Sequence, residues 1–211
     1  MKTNEVRSFA AFAPALEVRS EEGKPTTITG YAAVFNEVTE IYGFGNESWR
    51  EVIAPGAFAR AIRENQDVAC VIEHDWKDVV ARRSGGTLKL EEDMRGLRVT
   101  IQPANTRRSH DLIEDIRAGN IKGMSFRFSI NGIGGEETKT YAEGDKRVML
   151  RTLKDVDISD VSFVVFPAYE GTSVELRTKP PEWTVQEPEK PNHDALKLRV
   201  RAAISYLDAT L

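Results

Sequence analysis

The segment DVDISDVSFVVFPAY, residues 155–169, constrains this chain most. Dense Val, Ile and Phe give it the character of a buried core strand, and Pro167, with no N–H to donate to a ladder, ends it. The acids Asp155, Asp157 and Asp160 gather at its entrance. So apolar a strand needs partners, and the chain supplies them. LEVRSEEGKPTTITGYAAVF, residues 16–35, reads as two strands around a Gly-Lys-Pro turn. GTLKLEED and GLRVTIQP alternate on either side of Asp93-Met94-Arg95-Gly96, sending Leu88, Leu90, Leu97, Val99 and Ile101 toward the core. DVACVIEH, residues 67–74, is a buried strand that delivers His74 at its end. IKGMSFRFSI alternates as a strand with Ser125 near its start, followed by a glycine-rich turn, NGIGGEE, and a second polar-edged strand through TYAEGDKRVMLRTL. Residues 36–55, with Gly43, Gly45, Asn46 and Ser48, read as loop.

Two helices interrupt this pattern. PGAFARAIREN opens on a proline suited to a first helical turn and pairs Phe58 with Ile62. NTRRSHDLIEDIRAGN offers Asn105 or Thr106 as N-cap, an apolar face of Leu112, Ile113 and Ile116, and Gly119 as the stop. Composition then marks the domain limits. Residues 1–15 are expected as an N-terminal extension and 16–176 as the folded domain, followed by a Pro-rich linker over 177–193. Residues 194–211 place Leu196, Val200, Ile204 and Leu207 on one face of an amphipathic helix, which either binds a partner or docks on its own domain.

Composition also excludes several function classes. A net charge of -4 with interleaved signs lacks the basic clustering that nucleic acid requires. No apolar run is long enough for a membrane span, and the opening MKTNEVRSFAAFAP makes a poor signal peptide, so a cytoplasmic protein is expected. Cys70 is the only cysteine, which rules out an intrachain disulfide and a cysteine-based metal site. Four strand residues would separate it from His74 by roughly 13 Å, too far for a thiol–imidazole pair. Neither a GxSxG elbow nor a P-loop sequence occurs. Three histidines limit any imidazole chemistry to His74, His110 and His193. Of these, His110 falls among charged helix residues and His193 at the end of the linker, leaving His74 as the one of interest. Spacing alone makes it no more than a hydrogen-bonded residue at a strand end.

Read in order, GYAAVFNE, PGAFARAI, VIEHDW, GTLKLEED with GLRVTIQP, DLIEDIRAGNIKGMSFRF and DVSFVVFPAY resemble the prohead serine proteases of tailed bacteriophages, from about Gly30 to Val174. The ordered set is what makes the match specific, with a histidine about fifty residues ahead of a serine in a Met-Ser-Phe strand. The resemblance implies a mainly β (α+β) fold, an antiparallel β-barrel with flanking helices, similar to the herpesvirus assembly proteases. It implies Ser125 as nucleophile and His74 as base. The acid before the Val-Ser pair, Asp160, is implied as the third member, with Asp157 as second choice. In a regular strand these two aspartates, three apart, face opposite sides, so only one can serve. Arg127 shares the strand face of Ser125, which permits a contact near the reacting groups, although a salt bridge at the barrel surface is the ordinary expectation.

The same resemblance implies prohead maturation. The substrate would be the scaffolding protein or the N-terminal scaffolding segment of the major capsid protein, and the enzyme would also cut itself. The implied partners are those two phage proteins and, by analogy with the herpesvirus enzymes, a second copy of the chain; neither nucleic acid, membrane nor cofactor is required. Its place would be the assembling procapsid in the host cytoplasm. Two rivals remain open: an inactive scaffolding or capsid-assembly module that keeps the fold, and a hydrolase of similar fold acting outside phage assembly.

Overall fold

A computed structural model describes residues 4–9, 16–20 and 25–165. In chain order the elements are β1 (Glu5–Phe9), β2 (Glu17–Arg19), β3 (Thr27–Val34), β4 (Thr39–Phe44), β5 (Glu47–Ile53), α1 (Ala59–Arg63), β6 (Ala69–Ile72) and β7 (Asp75–Arg82). There follow β8 (Leu88–Glu92), β9 (Gly96–Ile101), α2 (Arg107–Ala118), β10 (Gly123–Ile130), β11 (Glu136–Glu143), β12 (Lys146–Leu153) and β13 (Val156–Val164). The linker and amphipathic helix expected from residue 177 onward lie outside the described residues.

Alternating strands dominate, as the sequence pattern demands, yet the described strands do not close into one antiparallel barrel. They form three open sheets, ordered β1-β10-β13-β6-β7, β11-β12-β5-β4 and β2-β3-β9-β8. Two of the pairings, β12 with β5 and β13 with β6, are parallel. Alternation sets which face of a strand is apolar; it does not set the partner, so a mixed pairing left no trace in the sequence. The stretch 36–55 is corrected as well: it holds the β4–β5 hairpin. Its glycines and Asn46 signal the turn, where Gly45 has φ +58°, and short polar-edged strands beside such a turn resemble loop in composition.

TYAEGDKRVMLRTL, expected as one strand, is corrected too: it spans the turn at Gly144 (φ 59°) between β11 and β12, which pair antiparallel. β8 and β9 pair antiparallel, and the Asp93 carboxylate accepts the N–H groups of Arg95 and Gly96 to shape their turn. Gly96 is required there by close approach, since a Cβ would sit 2.0 Å from the Ala33 carbonyl oxygen on β3. α2 starts at Thr106, whose side chain accepts from the Ser109 N–H, and stops at Gly119 with φ 75°.

The core is built around β10. Met124, Phe126 and Phe128 project from one face and are fully buried with Phe58 of the α1 turn and Phe163 of β13. Phe58 meets Phe126 edge-on at 5.4 Å, and Phe126 stacks on Phe128 at 5.1 Å. Burial of each such ring stabilises the fold by about 1.5–3 kcal/mol, enough to hold the register of β10. Ser125, Arg127 and Ser129 then occupy the opposite face by the two-residue period.

Candidate active site

β10 lies between β1 and β13. Its register with β13 sets Ser125 opposite Ser162 and Arg127 opposite Asp160, so these four side chains share one face. A bulge interrupts the pairing, with Arg127 opposite Asp160 but Phe128 opposite Ile158. Ser159 is the extra residue. The irregularity puts Asp157 on the same face as Asp160 rather than the opposite one, two register positions further along. There it bonds to Arg60 (2.5 Å) and Gln66 (2.6 Å). Asp157, the second choice, is therefore held away from His74.

His74 comes from the β6–β7 hairpin. Glu73 and His74 form its two-residue turn, and both have positive φ, 51° and 57°. Two positive φ values in succession are the signature of a type I′ turn, and without glycine each costs roughly 1–2 kcal/mol. Four hydrogen bonds fasten the strained turn to its neighbours. The Glu73 N–H donates to the Phe163 carbonyl (2.9 Å), and the Val165 N–H to the Glu73 carboxylate (2.6 Å). The His74 N–H donates to Ser162 Oγ (2.9 Å), while Arg127 donates to the His74 carbonyl (3.1 Å). The backbone of His74 is thus fixed by β13 and β10, the strands that carry the other site residues.

The ring bridges them. His74 Nδ1 is 2.6 Å from Asp160 Oδ1 and Nε2 is 2.5 Å from Ser125 Oγ. Asp160 is fully buried, and its second oxygen accepts from the Trp76 indole N–H (2.9 Å). Arg127 Nε lies 3.1 Å from that same oxygen; this is an ion pair, and the N–H is not aligned for a hydrogen bond. The guanidinium also stacks over the Trp76 ring, 5.5 Å from its centroid. A carboxylate taken wholly out of water needs such partners. Because the carboxylate can only accept, it keeps the proton on Nδ1 and leaves Nε2 as the acceptor for the serine hydroxyl. The arrangement can withdraw a proton from Ser125 and stabilise the resulting imidazolium.

The structure thus brings Ser125, His74 and Asp160 into one chain of hydrogen bonds. Arg127 is corrected from a surface ion pair to a partner of the buried carboxylate. Trp76 and Ser162 were not anticipated, although each had a signal: an indole two residues beyond the only histidine of interest, and a serine inside the most apolar strand. Cys70 is fully buried, and burial, with the nearby Asp160 charge adding to it, pushes its thiol far up; it stays a neutral core residue. His110 is exposed and bonds to Asn105, and His193 lies outside the described residues. Among the described residues no cluster of three or more His, Cys, Asp or Glu could hold a metal ion, and no helix is long and apolar enough to cross a membrane.

Residues 14–186 match the model of a protein family described as caudovirus prohead serine protease. No curated protein matches the chain. Among solved structures the chain is similar to the bacteriophage T4 capsid assembly protease, gp21, covering 76% of this chain and 96% of that one at 11% identity, with a TM-score of 0.44.

Proposed function

As the chain belongs to the caudovirus prohead serine protease family, we propose that it is a serine endopeptidase in which Ser125 is the nucleophile, His74 the general base and Asp160 the group that orients the ring. The continuous contact from Asp160 through His74 to Ser125, 2.6 Å and then 2.5 Å, carries the reading. As Ser125 Oγ attacks the carbonyl carbon of a peptide bond, its proton passes to His74 Nε2. The tetrahedral adduct collapses by breaking the C–N bond, and the imidazolium returns the proton to the leaving amine. Water, deprotonated by the same Nε2, then attacks the acyl-enzyme and releases the new carboxylate with Ser125 restored. Throughout, Asp160 stays ionised, supported by Trp76 and Arg127.

The proposed substrate is capsid scaffold: the scaffolding protein or the N-terminal scaffolding segment of the major capsid protein, with cleavage of the enzyme itself as a second outcome. Action inside the procapsid, a homodimer and kinship with the herpesvirus assembly proteases belong to the same proposal. Intact mass followed over time tests it, for the purified chain and its Ser125→Ala variant, each alone and mixed with the capsid protein encoded beside it. Fragments are expected only where the serine is native, with and without EDTA, since no step needs a metal. Fragments formed equally by Ser125→Ala would remove the serine from the mechanism. An intact capsid protein in every mixture would favour the inactive assembly module.

A further inference from the structure

β10 is flanked by β13 on one side and by β1 on the other, and β1 pairs with no other strand among the described residues. Without β1, β10 would present an open edge with the nucleophile near its start. Open strand edges accept extended peptides by β-augmentation, in which backbone hydrogen bonds hold the peptide and alternate side chains are read by pockets. β1 behaves as such a peptide. It runs antiparallel to β10 with Arg7 opposite Phe126 and Ser8 opposite Ser125, and the Arg7 carbonyl oxygen lies 2.8 Å from Ser125 Oγ.

Two side chains of β1 on the core face, Glu5 and Arg7, meet buried charges of opposite sign. Arg7 donates to both oxygens of Glu51 on β5, at 2.5 and 3.0 Å, and lies over the Phe128 ring at 5.5 Å. Glu5 accepts from two nitrogens of Arg151 on β12, at 2.5 and 2.8 Å. Glu51 and Arg151 are 3% and 8% exposed. They also bond to each other at 3.1 Å, and Glu136 joins Arg151. The pair therefore persists without β1, while β1 supplies a matched counter-charge to each member.

We propose that the edge of β10 is the substrate groove and that residues 5–9 occupy it in cis. Glu51 selects a basic residue at the position whose carbonyl faces Ser125, and Arg151 selects an acidic residue two positions earlier. The occupied groove is also a resting state. Ser125 has one hydroxyl hydrogen and two acceptors within 2.8 Å, His74 Nε2 and the Arg7 carbonyl, so the seated strand competes with the base for the proton that catalysis must move. A substrate has to displace a segment whose covalent attachment gives it a high effective concentration.

This inference rests on the protease reading but is tested without turnover. In the full-length Ser125→Ala chain, the binding of a fluorescein-labelled Glu-Val-Arg-Ser-Phe peptide is followed by anisotropy, next to a control peptide with Glu and Arg exchanged. Substituting Arg7→Ala removes the charged hydrogen bonds of the internal strand and frees the groove, so the labelled peptide is expected to bind about ten-fold tighter or more. The exchanged peptide should gain little. Glu5→Gln, a milder change, should give a smaller gain in the same direction. If neither substitution strengthens binding, or if the two peptides bind alike, the groove assignment is overturned, whatever the mass experiment says about Ser125.

Discussion

β10 carries two polar clusters, one on each face, built on different physical terms. On one face Asp160, His74 and Ser125 are held by backbone geometry: a strained turn places the His74 ring, and the register of β10 with β13 places Ser125 and Asp160. On the other, Glu5, Arg7, Glu51, Arg151 and Glu136 form a mesh of charges in which Glu51 and Arg151 each have more than one partner. Removing one member of the first cluster breaks the single line of contacts from Asp160 through His74 to Ser125. Removing one member of the second leaves other ion pairs in place. The first arrangement suits chemistry, which tolerates little displacement of reacting atoms; the second suits recognition, in which one strand must be exchanged for another.

That contrast can be broken most forcefully at Asp160. Asp160→Asn keeps the shape but offers an amide that can donate to Nδ1 and so favours the wrong tautomer; kcat should fall by ~10⁴, measured as peptide turnover, with the fold intact by circular dichroism. Survival of activity would dissolve the distinction between the clusters. Next in size is Phe128, fully buried between them and beneath Arg7. Phe128→Ala should cost about 3–5 kcal/mol by urea denaturation, which would show that packing, rather than either polar cluster, fixes the strand. Trp76→Phe removes one donor to the buried carboxylate while keeping an aromatic face for Arg127. A loss of roughly ten-fold in kcat is expected with KM unchanged, and an equal loss in both would indicate substrate binding instead.

The smallest effect belongs to Glu5. Burial would raise its carboxyl, but the hydrogen bonds and charge of Arg151, joined by Arg7, outweigh it and hold the group below its ordinary 4.5. Glu51 and Glu136 face the same arginine and temper the gain. A lowered carboxylate stabilises the docked strand above its free value, and that stability is lost as pH falls through the docked value. The parent and Glu5→Gln should therefore differ by about 0.5 kcal/mol near neutrality, in the range of a partly exposed ion pair, and converge as pH drops below 4.5. A difference that does not change with pH would mean that charge plays no part in seating β1.

Much of the local structure was legible. Alternation marked β8 and β9, which bury one face, and β10, which buries both, while dense Val, Ile and Phe marked β13; Thr106 with Gly119 bounded α2 by supplying the partners and the left-handed φ that helix ends need. The β4–β5 hairpin was lost among its own turn residues. For the site, Ser125, His74 and Asp160 were named from family resemblance, since a strand-end histidine and a strand serine some fifty residues apart have no geometry until sheets form. Arg127 was read as an ordinary surface charge because its partner's burial could not be seen from its own neighbourhood.

What the sequence determined by itself was the character of each segment: apolar period, turn chemistry, caps and the supply of chemically able side chains, all of which depend on residues close together along the chain. Tertiary structure decided the pairings. The parallel contact of β13 with β6 brings the His74 turn against Ser162, and the bulge at Ser159 places Asp157 beside Arg60 while Asp160 remains opposite Arg127. The seating of residues 5–9 against Ser125 was decided in the same way. Strand partners are chosen by the joint burial of faces distant in sequence, and a one-residue change in register exchanges those faces, so these placements exist only once the whole sheet is assembled.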